Sequence, residues 1–437
     1  MTRSLLLFAG MLLVAPAGVL AQSAQPGPRS FDLGALQQAA IDTDPRLRQL
    51  QLLMTQTDLR LRNIDAQRLP TITVDGQIQY QSDVAHLPNG LPGIGTLFLP
   101  PKDSYDVGLR VEQRLVDPTI AAHDALERAQ LAENQARVRA TLFALRQQVG
   151  DAFFAAAALQ ARVGALAATI ADLNARLEET NARVREGTAL PADAAAIEAT
   201  LLQRQQDADD LQASRGAALE RLATLTGQRV ADTDTLTLPD LRAAVATARH
   251  SAATLRARPE FEQFARTRDR LARQQELTAA QERPRLSAYA RAGYGQPGLN
   301  FISDEFQPYG LGGIRVQWNT WTWNTGARER EALRIQQQIV EAEDAALSKQ
   351  LVTAIQNDQA AIDRLERALA TDERIVALRE QVERAARLRL QEGVVTASEY
   401  LDRSTELLQA RFARVGHEVE RAQASARLLT TLGLEVR

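Results

Sequence analysis

Hydrophobic positions follow two different periods along this chain, and the switch between them recurs. In Thr71 to Tyr80 the apolar residues Ile72, Val74, Ile78 and Tyr80 alternate with polar or small ones, and Tyr105 to Leu115 alternates Tyr105, Val107, Leu109 and Val111 with Asp106, Gly108, Arg110 and Glu112. Both patterns predict strands with one apolar and one polar face. Leu286 to Tyr294 and Tyr309 to Trp318 repeat the pattern, with Ile314, Val316 and Trp318 on one face. Around these segments the spacing becomes heptad-like. Leu47, Leu50, Met54, Leu61 and Ile64 mark one helix, and Ile375, Leu378, Val382 and Ala385 mark another. These stripes predict coiled-coil packing. From Ala327 to Glu392 there are 66 residues without glycine or proline, enough for a helix about 100 Å long at 1.5 Å per residue.

The elements form two copies of one unit: helix, strand, loop, strand, long helix, turn, helix. Pro45 and Pro70 reappear as Pro259 and Pro284 at an offset of 214, and Gly187 and Gly227 as Gly393 and Gly433 at an offset of 206. Landmarks that keep order and spacing in this way mark an internal duplication. The expected organisation is a first repeat over 22–227 with a hairpin at about 71–116, a linker at 228–250, and a second repeat over 251–437 with a hairpin at about 285–323. Ahead of them, Arg3, the apolar run Leu5 to Val14 and the small residues of Val19-Leu20-Ala21 predict a secretory signal peptide over 1–21. No further apolar run of spanning length is evident, so membrane insertion is expected to use strands.

Strand number then constrains assembly. Segments of about ten residues, oily on one face and polar on the other, fit transmembrane strands, but four cannot close a barrel, and open edges in lipid leave backbone groups unpaired. Two, three or four copies would give 8, 12 or 16 strands, and a water-filled passage needs at least three. The Gly- and Pro-rich loops near Ser82 to Ser104 and Gln296 to Pro308 should lie outside the cell, with the helices on the opposite side.

Composition removes other classes. The 437 residues carry a net charge of −3 and no cysteine, which excludes disulfides, thiol nucleophiles and an acylated N-terminal cysteine. The near-neutral balance gives no pull toward nucleic acid; only Lys102 and Lys349 among the 51 basic residues are lysines. His86, His123, His250 and His417 have no metal-binding spacing, and no phosphate-cradling loop or nucleophile elbow is present. No metal, cofactor or enzymatic activity is expected. Trp318, Trp321 and Trp323 fit an aromatic girdle at a membrane interface.

The residues resemble the TolC-like outer-membrane efflux proteins. Phe31-Asp32-Leu33 through Asp44-Pro45 is similar to the family's start. Arg183-Val184-Arg185-Glu186-Gly187 and Arg389-Leu390-Gln391-Glu392-Gly393 are similar to its helix-hairpin tips, and the segments ending at Gly227 and Gly433 to its repeated helix ends. The resemblance implies a mainly α fold with membrane β: a homotrimer whose four strands per chain share a 12-stranded barrel in the Gram-negative outer membrane, above a coiled-coil α-helical barrel in the periplasm. The implied partners are a periplasmic adaptor, an inner-membrane pump and outer-membrane lipid. Arg183, Gly187, Asp193, Arg389 and Gly393 become the expected adaptor-docking tips. Glu399 and Asp402, three apart on one helix face, fall by alignment to Gly393 on the family's acidic constriction, so six carboxylates would ring the tunnel's narrow end. The chain departs from the family pattern at Leu390 and Val395, where a tyrosine and an arginine contribute gate-closing contacts. The expected function is a passive exit duct for small molecules. A duct for secreted protein and a non-conducting periplasmic scaffold are the alternatives.

Overall fold

The structure, a computed structural model, describes residues 29–84, 101–249, 256–300 and 305–436. The element order is β1 (Ser30–Phe31), α1 (Leu33–Thr43), α2 (Pro45–Ala66), β2 (Thr71–Tyr80), β3 (Asp103–Val116), α3 (Pro118–Arg185), α4 (Pro191–Thr226), β4 (Thr235–Leu236), α5 (Arg242–Arg249), α6 (Pro259–Gln281), β5 (Arg285–Gln296), β6 (Gln307–Gln317), α7 (Thr325–Gln391) and α8 (Ala397–Thr431). The duplication is visible in helix lengths: α3 and α7 have 68 and 67 residues, α4 and α8 have 36 and 35. Helix starts follow local chemistry. Asp44 and Asp117 accept backbone N–H bonds at the N-caps of α2 and α3, each followed by a proline in the first turn.

The four long strands form one antiparallel sheet in the order β2-β3-β5-β6, so the two copies meet at β3–β5 and leave β2 and β6 as edges. Register places Ile72, Val74 and Ile78 opposite Val111, Leu109 and Tyr105, which assembles the expected apolar face. That face is bare: Val74 and Ile78 are 76% and 82% exposed. Water does not tolerate so continuous an apolar band on a folded surface. The second hairpin is shorter than expected, since β6 stops at Gln317 and residues 318–324 turn into α7 through left-handed Trp323 and Asn324.

The main core lies where the helices converge at mid-length. Leu33 and Leu36 of α1, Val149, Phe153 and Phe154 of α3, Leu222 of α4 and Leu428 of α8 are buried together. Between α4 and α6, β4 pairs parallel with β1, and Val245 of α5 enters this core.

One expectation needs correction. Helix α3 does contain an 18-residue window of mean hydropathy 1.5 with few charges, long and apolar enough on composition alone to cross a membrane. Phe153, Phe154, Ala156, Ala157 and Leu145 of this helix are buried in the main core. The stripe Ile375, Leu378 and Val382 is 41%, 53% and 42% exposed in the single chain. Helix α7 buries a different row instead: Asp344, Leu351, Asp358, Leu365 and Asp372, one every seven residues.

Candidate functional site

The two helical hairpins end side by side. Helix α3 closes in a Schellman motif: Gly187 has φ +72°, its N–H donates to Val184 O, and Thr188 N–H donates to Arg183 O. Helix α7 ends identically, with Gly393 at φ +73° and bonds from Gly393 and Val394 to Leu390 O and Arg389 O. The chain then reverses into α4 at Pro191 and into α8 behind Thr396, whose hydroxyl accepts from Glu399 N–H.

Bonds between the tips join the two repeats. Arg183 Nη1 donates to Leu390 O at 3.0 Å, and Ala397 N–H donates to Asp193 Oδ1 at 3.0 Å. The first copy therefore caps two helix ends of the second: a cation sits at the C-terminus of α7 and a carboxylate at the N-terminus of α8, both favoured by the helix dipole. Gln391 Nε2 adds a bond to Glu179 Oε1 at 2.9 Å. Beneath them Leu173, Ile197, Leu201, Leu390, Ala397, Tyr400 and Leu401 form a separate small core, with Val395 packed against it. Leu390 and Val395, the positions that depart from the family pattern, thus serve apolar packing.

Of the residues singled out from the sequence, Arg183 and Asp193 are brought together with the opposite tip, whereas Gly187, Arg389 and Gly393 are exposed. Glu399 and Asp402 lie on the first two turns of α8, both exposed. Between them Tyr400 is fully buried and donates its hydroxyl to Asp172 Oδ2 of α3 at 2.5 Å. Burial, reinforced by that carboxylate, holds the phenol far above its ordinary range.

Behind Tyr400 lies a cavity of about 320 Å³ lined by α3, α7 and α8, including Asp172, Glu380, Glu383, Arg387 and Arg411. Glu380 is paired with Arg411 at 2.8 Å. Glu383 is buried and its Oε1 has no hydrogen-bond partner; desolvation pushes its pKa up against the pull of Arg387. The α7 row of aspartates continues the polar thread toward mid-length: Asp344 binds Arg256 at 2.7 and 2.9 Å, Asp358 binds Arg427 at 2.6 Å, and Asp372 meets His417 Nδ1 at 2.6 Å. Sequence reading missed this row and the Tyr400–Asp172 bond. The strict seven-residue alternation of Asp and Leu was the available signal.

No group of three or more potential metal ligands occurs among the described residues. The tryptophans cluster at the helix end of the sheet. Trp318 Nε1 donates to Glu282 O at 3.0 Å, and Trp321 and Trp323 stack edge to face, all three exposed. His86 and His250 lie outside the described residues.

A sheet with a bare apolar face, carried on helices about 100 Å long, defines a class of membrane proteins that insert by strands and project a helical bundle. Residues 36–228 match the outer membrane efflux protein family, in keeping with the resemblance to the TolC-like outer-membrane efflux proteins. In fold it is similar to VceC of Vibrio cholerae (TM-score 0.67, 18% identity, covering 93% of this chain and 97% of that one). It is likewise similar to the CmeC outer membrane channel of Campylobacter jejuni (0.66, 12%, 92% and 85%) and to the open state of the MtrE channel of Neisseria gonorrhoeae (0.64, 19%, 93% and 89%). No curated protein matches the sequence. Proteins of this family are channels rather than enzymes.

Proposed function

We propose that three copies of this chain form an exit duct in the outer membrane, passively conducting small molecules delivered by a periplasmic adaptor and an inner-membrane pump. The observation that carries this is the four-stranded sheet, apolar and bare on one face and unpaired at β2 and β6. Lipid covers the face, and pairing of β6 with β2 of the next copy closes 12 strands without an edge. The family match over residues 36–228 supports the same assembly, since outer membrane efflux proteins form homotrimers in tripartite systems. The exposed row Ile375, Leu378 and Val382 then packs against a neighbouring copy, and Trp318, Trp321 and Trp323 anchor the helix-side interface.

In this reading Glu399 and Asp402 from three chains ring the periplasmic mouth. Arg183, Gly187, Asp193, Arg389 and Gly393 mark the tips that the adaptor meets, with Arg183 and Asp193 acting through the shape they give the paired tips. Carbonate-resistant membrane association and a heat-modifiable oligomer test the duct; release with the periplasmic fraction would favour a scaffold. Glu399→Ala with Asp402→Ala should weaken block by multivalent cations, and unchanged block would remove both residues from the mouth.

A further inference from the structure

The face of the sheet opposite the apolar one carries an ordered charge pattern. Register stacks its residues in rows across the strands. Toward the loop end Asp106 lies level with Gly295, and Asp75 with Gly108, Gly293 and Tyr309. Toward the helix end follow a row with Arg110 and Arg291, one with Glu112 and Tyr289, one with Arg114 and Arg315, and then Arg285. The loop half therefore holds two aspartates. The helix half holds five arginines against Glu112 and the neighbouring N-cap residue Asp117.

Two arginines are fixed by a repeated device. Gly293 faces Tyr309 and Gly313 faces Tyr289 across the β5–β6 pair, and a Cβ on Gly293 would lie 2.5 Å from the Tyr309 ring and one on Gly313 3.0 Å from Tyr289 Oη. The glycines let both rings lie flat on the sheet. Arg291 sits over Tyr309 at 5.8 Å and Arg315 over Tyr289 at 4.9 Å, each one step on the helix side of its glycine. Arg291 bridges Asp75 and Asp106, so the loop-half acids are consumed by an arginine from the next row. Arg110, Arg114 and Arg315 keep side chains 39%, 48% and 49% exposed, and their contacts to Asp75, Asp117 and Glu112 are looser, at 3.9, 3.2 and 3.5 Å.

We infer that Arg110 and Arg315 are specificity-determining residues of the barrel lumen, forming a belt that favours negatively charged solutes. The inference rests on the duct reading, which turns this face inward and triples the belt. Rings of arginine favour anions in a pore, and lumen charges of a barrel tune its selectivity. Solutes bearing carboxylate, sulfate or phosphate groups are the class it suits. This polarity is opposite to that of the acidic pair Glu399 and Asp402 at the far end of the helices.

The test is the reversal potential of the reconstituted full chain in a potassium chloride gradient. Arg110→Gln with Arg315→Gln should lower the chloride-to-potassium permeability ratio by about threefold or more, and Arg110→Lys with Arg315→Lys should restore it. An unchanged ratio in a conducting glutamine variant overturns the belt while leaving the duct intact. Absence of conductance from the unmodified protein overturns the duct and the belt with it. Should the glutamine variant not assemble, tripolyphosphate on the unmodified channel decides: flickering block supports the belt, and no block overturns it.

Discussion

Tyr400→Phe removes one oxygen from the best-buried large side chain at the tips. The ring stays in its core of Leu173, Ile197 and Leu390, so the change isolates the hydroxyl that reaches Asp172 at 2.5 Å. A hydrogen bond to a charged partner contributes about 1.5–3 kcal/mol. At about 1.4 kcal/mol per tenfold, the local opening equilibrium of the paired tips should shift by roughly 10- to 100-fold. Amide hydrogen exchange reads this directly. Amides at the start of α8 and the end of α7 should exchange faster by that factor, while those of the β3–β5 pair should not change. If the hydroxyl helps to hold the mouth, the variant also shows more open events in planar bilayers. Tip exchange equal to that of the unmodified protein would refute the assignment of Tyr400 as the link between α8 and α3.

Other substitutions report on separate parts of the structure. Asp193→Ala removes the cap on Ala397 N–H and should cost about 1 kcal/mol of tip stability, seen as faster exchange confined to the first turn of α8. Gly187→Ala and Gly393→Ala meet no neighbour within 4 Å, so their cost is that of the positive φ alone, about 1–2 kcal/mol each by thermal melting, with asparagine tolerated better. Glu383 binds protons more tightly in the folded chain than in the unfolded one, so its ionisation weakens the fold as pH rises through the raised value. Glu383→Gln should therefore raise the melting temperature at neutral pH, and the gain should vanish below the ordinary glutamate range. Gly293→Ala drives a methyl into the Tyr309 ring and should impair barrel assembly while leaving far-ultraviolet helicity intact.

The features legible in the sequence are those that repeat over short range. The strands announce themselves because each alternates between an apolar face and a polar one, as at Ile72, Val74 and Ile78. The tips announce themselves because Glu186-Gly187 recurs as Glu392-Gly393 at the end of a basic segment in each copy. What stayed hidden depends on distant partners. Nothing near Asp172 points to Tyr400, 228 positions away, and the capping of α7 and α8 by Arg183 and Asp193 needs both copies folded side by side. The Ile375, Leu378 and Val382 stripe shows the limit of a heptad pattern, which marks a face for packing without saying which helix covers it. The buried aspartates of α7 escaped because acids read as solvent-facing until Arg256, Arg427 and His417 are brought to them.

The central claim is that this chain assembles into a conducting barrel. Single-channel recording of the detergent-extracted protein in a planar bilayer, with its mass determined in parallel, tests it most directly. The account predicts discrete, cation-sensitive conductance from a species of three chains. A soluble monomer without conductance would contradict it and return the four strands to a soluble domain.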